Sequence, residues 1–342
     1  MSSPFVHLVR NRIGFRITLC LGTSLFFFCA MLLLGAQAQE VSQIRIGQSS
    51  LTDVQVASIV TARAGIFKKY GLAPEPIALQ GGPQTIQALI ANSIHFADMP
   101  GTAVINSRVA GANVVSILYH LIGVTHGLFV RPEIRTAKDL VAKKVGIVRI
   151  GGLAEFLARY MLTEKLGLKP SEFELIQIGG QAVRVAALTS GAIQASVFSP
   201  PESTRVEKLG FREIADASEL EYPTGVIATT TQILSSQSPL VERVLKSYLE
   251  GIAFFRQQKE KTLAILQKEF RLTERAEVEG MYAKLLKVVP AKPRFPSKGI
   301  ETVLDDLKAR NPNAARMDPN LFYESGIIKK LEAQGFINDL YQ

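Results

Sequence analysis

Hydrophobic and polar positions alternate along residues 43–233 with two distinct periods. Short apolar runs of strand length are followed by longer stretches in which apolar residues recur every three to four positions. The pattern predicts strands at 44–47, 94–97, 114–119, 127–130, 145–150, 173–178, 194–198 and 226–231, and helices at 54–64, 84–90, 153–166 and 182–188. Two further helices open at Pro100-Gly101 and Pro200-Pro201, since proline suits a first helical turn. Such alternation argues for open, largely parallel sheets with helices on both faces. After Ser238 the period is helical throughout. The segments 239–258, 262–270, 275–288, 298–310 and 321–334 read as helices separated by Pro, Gly or Asn. They carry no evident chemistry and are expected to pack around and cover the αβ portion.

Three strand-to-helix junctions share one device. The only Gly-Gly pairs in the chain, Gly81-Gly82, Gly151-Gly152 and Gly179-Gly180, each stand between a predicted strand and a predicted helix. Glycine there lets the backbone turn sharply and leaves room for close approach. The following helix aims its unpaired N–H groups and positive dipole end at that space. Three such corners suggest a small polar or anionic ligand held by helix N-termini, with turn chemistry alone as the other reading. A weak duplication supports two similarly built lobes. Gly81-Gly82, Ala88-Leu89, Ile94 and Pro100 are echoed about 98 residues on by Gly179-Gly180, Ala187-Leu188, Ile193 and Pro200.

The first 38 residues read as a secretory leader. Arg10, Arg12 and Arg16 form the basic region, 17–34 the apolar one, and Ala36-Gln37-Ala38 fits cleavage before Gln39. An uncleaved membrane anchor is the alternative. Both cysteines, Cys20 and Cys29, lie in this leader, so the expected mature protein has no disulfide, thiol catalyst or cysteine metal site. The formal charge of +9 is scattered in pairs such as Lys68-Lys69, Lys143-Lys144 and Lys329-Lys330, which argues against a nucleic-acid patch. Histidines at 95, 120 and 126 lack metal-ligand spacing, and no nucleophile elbow, P-loop or zincin motif is present. No cofactor, metal or catalytic residue is therefore expected.

Candidate ligand-binding residues follow from strand ends and helix starts. Ser49, Ser50, Leu51 and Thr52 follow the first strand, although Thr52 or Asp53 could simply cap the next helix. Gly81, Gly82, Pro100, Gly101 and Thr102 occupy two further strand ends, with Thr102 the preferred hydroxyl donor. Gly151, Gly152 and Leu153 open a long helix and would offer backbone N–H groups. Gln181 and Arg184 start the next helix, where Arg184 could clamp a carboxylate or sulfonate or form an ion pair instead. Ser199 ends a strand, and His126 lies near a predicted crossing, as ligand contact or structural residue.

Several blocks also resemble a known family. These are Ala62-Arg63-Ala64-Gly65-Ile66-Phe67-Lys68-Lys69-Tyr70-Gly71-Leu72, Gln87-Ala88-Leu89 with Ile94-His95-Phe96-Ala97, Lys138-Asp139-Leu140 with Lys143-Lys144-Val145-Gly146, and Gly191-Ala192-Ile193-Gln194-Ala195 with Ser199-Pro200-Pro201. Together they are similar to nitrate/sulfonate/taurine-type substrate-binding proteins of ABC importers, relatives of fungal thiamine-pyrimidine synthases. The resemblance implies an α/β, type II periplasmic binding protein with two doubly wound lobes, a two-strand hinge and extra C-terminal helices on lobe one. Lobe one would be residues 43–125 plus 227–342 and lobe two 126–226. It implies a monomeric periplasmic receptor that closes on a small anionic organic or oxyanion ligand and passes it to an ABC permease and its ATPase. A thiamine-precursor-synthase-like enzyme and a ligand-sensing module for a signalling partner are the alternatives.

Overall fold

A computed structural model describes residues 41–50, 52–308 and 311–342. The expected leader and the candidate site residue Leu51 lie outside the described residues. Ten strands form two five-stranded sheets. They are β1 (Ser42–Gln48), β2 (Leu72–Ala78), β3 (Phe96–Met99), β4 (Val114–Leu121), β5 (Gly127–Val130), β6 (Lys143–Ile147), β7 (Phe173–Gln177), β8 (Ala195–Phe198), β9 (Arg212–Asp216) and β10 (Gly225–Thr230). The principal helices are α1 (Val56–Arg63), α2 (Gly81–Ile90), α3 (Gly101–Val109), α4 (Leu153–Tyr160), α5 (Gln181–Ser190), α6 (Glu202–Lys208), α7 (Ser238–Gln257), α8 (Lys259–Phe270), α9 (Arg275–Val288), α10 (Ser297–Lys308) and α11 (Gly326–Ala333).

The first sheet has the order β2-β1-β3-β10-β4 and the second β7-β6-β8-β5-β9. Both are mixed rather than wholly parallel. β10 runs antiparallel to β3 and β4, and β5 antiparallel to β8 and β9. The cause is connectivity. The other four strands of each sheet point their C-terminal ends toward one gap. The chain crosses that gap twice, through residues 122–126 and 217–224. A strand arriving from the opposite sheet enters at the gap and must run away from it.

Helices cover both faces of each sheet. Ile44, Ile46, Val115 and Ile227 on one face of the first sheet pack against Val241, Leu245, Tyr248 and Leu285 of the C-terminal helices. Those helices thus bury a large apolar face, the main stabilising term for helices of this length. α1 and α7 approach closely, since a Cβ on Gly251 would lie 1.9 Å from Thr61 Oγ1. Ser58 Oγ and the Tyr248 hydroxyl pair at 2.7 Å in the same interface. The opposite face, with Leu89, Met99 and Val104, belongs to a core that continues into the second sheet through Leu128, Val145 and Leu157. Phe156 stacks on Tyr222 of the second crossing, centroids 4.6 Å apart. Phe129, Leu188, Phe198 and Val206 fill the far face of the second sheet.

Candidate functional site

The C-terminal ends of both sets of parallel strands meet around a cavity of about 420 Å³. Ser49, Ser50 and Thr52 line it from the loop after β1, Gly81 and Gly82 from the start of α2, and Pro100 from the end of β3. His126 of the first crossing faces them with Gly152 and Leu153 at the start of α4 and Gln181 and Arg184 of α5. Helices from both halves therefore begin at one space. Their positive dipole ends face it, so the cavity is electrostatically suited to negative charge, although the Gly81 and Gly152 N–H groups are already bonded to the Ser49 and Arg149 carbonyls.

Other expected residues are placed nearby but do not line it. The Thr102 hydroxyl is buried and pairs with the Tyr222 hydroxyl at 2.6 Å. Gly101 donates its N–H to the Pro223 carbonyl at 2.9 Å, and a Cβ there would lie 2.7 Å from that oxygen. The start of α3 thus grips the second crossing. Gly151 donates to Glu155 Oε2 at 2.5 Å and accepts from Asn106 Nδ2 at 2.8 Å, so its backbone is used up. Ser199 lies just behind Gln181, donating its N–H to Gln181 Oε1 at 2.9 Å. Thr52 is also a cap. Its Oγ1 accepts from the Val54 N–H at 3.3 Å, with Gln55 completing the capping box.

Arg184 is not a surface ion pair. It is buried, with Nε donating to the Gly179 carbonyl at 3.0 Å and Nη1 to Ser196 Oγ at 3.0 Å and to the Val197 carbonyl. The guanidinium carbon stands 5.2 Å from the Phe198 ring centroid. These bonds clamp the Gly179-Gly180 corner to β8 and leave Nη2 without a hydrogen-bond partner among the described residues. Burial lowers its pKa to about 10, opposed by Glu202, so the group still carries its charge at neutral pH. Arg149 adds a second cation at the rim, with Nε donating to the Gln80 carbonyl across the gap at 2.9 Å.

The remaining titratable groups are less favourable to charge. Burial pushes the His126 pKa down, with Asp53 pulling it up and Arg184 adding to the fall. Its Nδ1 is enclosed without a partner, so a neutral ring faces the cavity. Burial pushes the Glu202 carboxyl up, against Arg205, which bonds it at 2.7 Å. Glu202 also accepts from Gln181 Nε2 at 3.3 Å. Apolar side chains of Val54, Leu79, Pro83, Val148, Ala154 and Val183 complete the wall. Glu202, Arg149 and Val148 were not anticipated. The position of Val148 and Arg149 immediately before the second Gly-Gly corner was the available signal. Among the described residues no cluster of His, Cys, Asp or Glu has the makings of a metal site.

Known proteins agree with this architecture. A 226-residue stretch is 25% identical to a candidate binding protein of Brucella abortus (strain 2308), covering 64% of this chain and 69% of that one. The fold superposes on the alkanesulfonate-binding protein of Xanthomonas axonopodis pv. citri bound to MOPS with a TM-score of 0.68. The identity is 17%, over 83% of this chain and 97% of that one. The periplasmic nitrate-binding protein of Synechocystis PCC 6803 gives a TM-score of 0.67 at 13% identity, covering 89% and 91%. The sequence model of the family described as NMT1/THI5 like matches residues 54–262, most of both sheets and the cavity between them. The chain has the periplasmic binding protein fold and belongs to the NMT1/THI5 like family.

Proposed function

We propose that this protein is an exported solute receptor that encloses a small anionic organic compound or oxyanion between two lobes and delivers it to an ABC importer. The observation that carries this is Arg184, a buried cation at the cavity wall whose Nη2 is uncommitted among the described residues. A carboxylate or sulfonate would take a charge-assisted bond from it, helped by the positive ends of the converging helices and the hydroxyls of Ser49, Ser50 and Thr52. The apolar wall favours a ligand with a hydrocarbon part over a bare inorganic anion. The relatives above are named for binding rather than turnover, which favours a receptor over a precursor-synthase enzyme or a sensing module. In this reading the leader is cleaved after Ala38, the lobes are residues 43–125 plus 227–342 and 126–226, and a monomer docks on a permease served by an ATPase.

A thermal-shift screen tests it. The purified protein is refolded once to strip carried-over ligand, then heated with nitrate, bicarbonate, alkane and aryl sulfonates, aromatic carboxylates, dicarboxylates and pyrimidines. A ligand at 100 times its Kd adds about 2.7 kcal/mol, hence roughly 4 °C for a chain of this size. A saturable shift with one anionic class is the expected result. A shift confined to the neutral pyrimidines would overturn the anionic reading, and chemical turnover of any bound compound would overturn the receptor.

A further inference from the structure

One buried acid joins the two halves of the molecule. Asp53, which opens a short 3-10 helix (Asp53–Gln55) after β1, is fully enclosed. Its Oδ1 accepts from Ser199 Oγ at 2.6 Å, at the end of β8 in the other sheet. Its Oδ2 accepts from Thr125 Oγ1 on the first crossing. Among the described residues no cationic side chain pairs with this carboxylate, which depends on two hydroxyls. A buried carboxylate is costly to desolvate, and hydroxyl donors offset only part of that cost. Ser199 is also bound on its other side. Gln181 Nε2 donates to its Oγ at 3.4 Å, and Gln181 lines the cavity. A hydrogen-bonded chain therefore runs from the first sheet, through Asp53 and Ser199, to an amide on the ligand wall contributed by the second.

We propose that Asp53 is a positioning residue of the ligand site and that its bond to Ser199 is the latch holding the two halves closed. The inference rests on the receptor reading only in assigning closure to ligand capture. Asp53 belongs to the first half and Ser199 to the second, so the bond exists only when they meet. On opening, water takes the place of Ser199 at the carboxylate, and the Gln181 amide loses the hydroxyl that fixes its orientation. Thr125 sits on the crossing itself, and in this proposal its bond to Asp53 is the one retained on opening. The latch thus couples the shape of the cavity wall to closure, without Asp53 touching a ligand.

The test needs no ligand. Spin labels are placed at Ile90→Cys and Leu209→Cys, exposed sites in the two halves, in the full chain with Cys20→Ser and Cys29→Ser. Distance distributions are measured by pulsed electron resonance in the parent, Ser199→Ala, Ser199→Thr and Thr125→Val. Ser199→Ala should raise the long-distance population at least threefold, Ser199→Thr should restore the parent distribution, and Thr125→Val should shift it less than Ser199→Ala. Circular dichroism confirms that each variant is folded. A Ser199→Ala distribution superimposable on the parent, or a Thr125→Val shift as large, overturns the latch. Either failure leaves the receptor reading intact, since the thermal-shift screen judges that separately.

Discussion

Replacing Arg184 by methionine separates two roles that one guanidinium combines. The substitution keeps an unbranched side chain of similar reach while deleting the charge and all donors. On the structural side, the Gly179 and Val197 carbonyls lose their bonds from Nε and Nη1. Each unsatisfied buried acceptor costs about 1–3 kcal/mol. Ser196 Oγ still donates to the Gly146 carbonyl at 2.8 Å, so it adds little. Against this stands relief from burying a cation, worth several kcal/mol, and methionine packs well on Phe198. The opposing terms nearly cancel, and ligand-free stability should change by no more than about 2 kcal/mol, roughly 3 °C in Tm. Binding has no such compensation. A charge-assisted hydrogen bond to an anionic ligand is worth about 1.5–3 kcal/mol, or roughly 10- to 150-fold in Kd. Titration calorimetry with the best sulfonate or carboxylate from the screen, alongside urea unfolding of the ligand-free protein, reads both quantities. If affinity stays within about threefold while the fold is retained, the guanidinium only braces the corner, and the argument for an anionic ligand fails.

Other perturbations test the frame around the cavity. Gly251→Ala forces a Cβ into Thr61 across the α1–α7 contact and should cost about 1–3 kcal/mol in urea unfolding; an unchanged midpoint would mean the helices separate freely. Asp98→Ala strips the partner from His120, bonded at 2.9 Å with both side chains fully buried, and should destabilise by about 3 kcal/mol, a loss under 1 kcal/mol counting against that pair. Gly81→Ala places an L-residue at φ +81° and presses on Val148 at 3.2 Å, so the closed arrangement should be disfavoured by about 1–2 kcal/mol, visible as an increased radius of gyration in small-angle scattering. Acidification is a further test. His126 and His95 both have folded pKa values held below the ordinary imidazole value, chiefly by burial. Their contribution is complete above about pH 6.5 and is lost as pH falls toward their folded pKa values. Tm should drop between pH 7.5 and 5.5 and His126→Gln should flatten the drop; a Tm that rises over that window would contradict the burial argument. Glu202, raised by burial, acts in the opposite sense and contributes only at more acidic pH.

Much of this arrangement was legible in the sequence because local chemistry announced it. The Gly-Gly corners and the helical period after Ser238 map onto α2, α4, α5 and α7 through α11, with two differences: the helix expected over 153–166 turns to wider π geometry after Tyr160, and that expected over 321–334 is α-helical only over Gly326–Ala333. The edge strands were harder. β2 contains Pro74 and Pro76, which demote a strand in sequence reasoning, yet an edge position tolerates them because its outer N–H groups need no partner. β9 reads Arg-Glu-Ile-Ala-Asp and is largely solvated, so it lacks the apolar alternation of a half-buried strand. The reversed strands β5 and β10 follow from which side of the gap the chain re-enters, which no local pattern encodes. Asp53 looked like a helix cap because its partner Ser199 is 146 positions away. Arg184 was the converse case, readable at a helix start as a ligand clamp or an ion pair, and folding encloses it among backbone carbonyls and Ser196.

The glycine corners also turn out to work differently from a simple row of backbone donors. The Gly81 N–H is bonded to the Ser49 carbonyl at 2.7 Å, that of Gly151 to Glu155, and that of Gly152 to the Arg149 carbonyl at 3.3 Å. These donors are already committed within the protein. What the glycines supply is backbone conformation and clearance. Gly81, Gly151 and Gly179 take φ of 81°, 79° and 113°, values that cost an L-residue strain. Gly81 lies against Val148 of the facing half, so a side chain there would hold the halves apart. Closure and turning therefore explain the corners without any ligand. Recognition then falls to the residues just beyond them, Gln181, Arg184 and Leu153, and to His126 and the hydroxyls after β1. A scaffold organised this way keeps its corners while its ligand changes, because the backbone that closes the cavity and the side chains that read the ligand occupy different positions. Exchanging Ala182 or Val183 on the wall should accordingly retune ligand choice, whereas exchanging Gly81 should weaken every ligand alike through impaired closure.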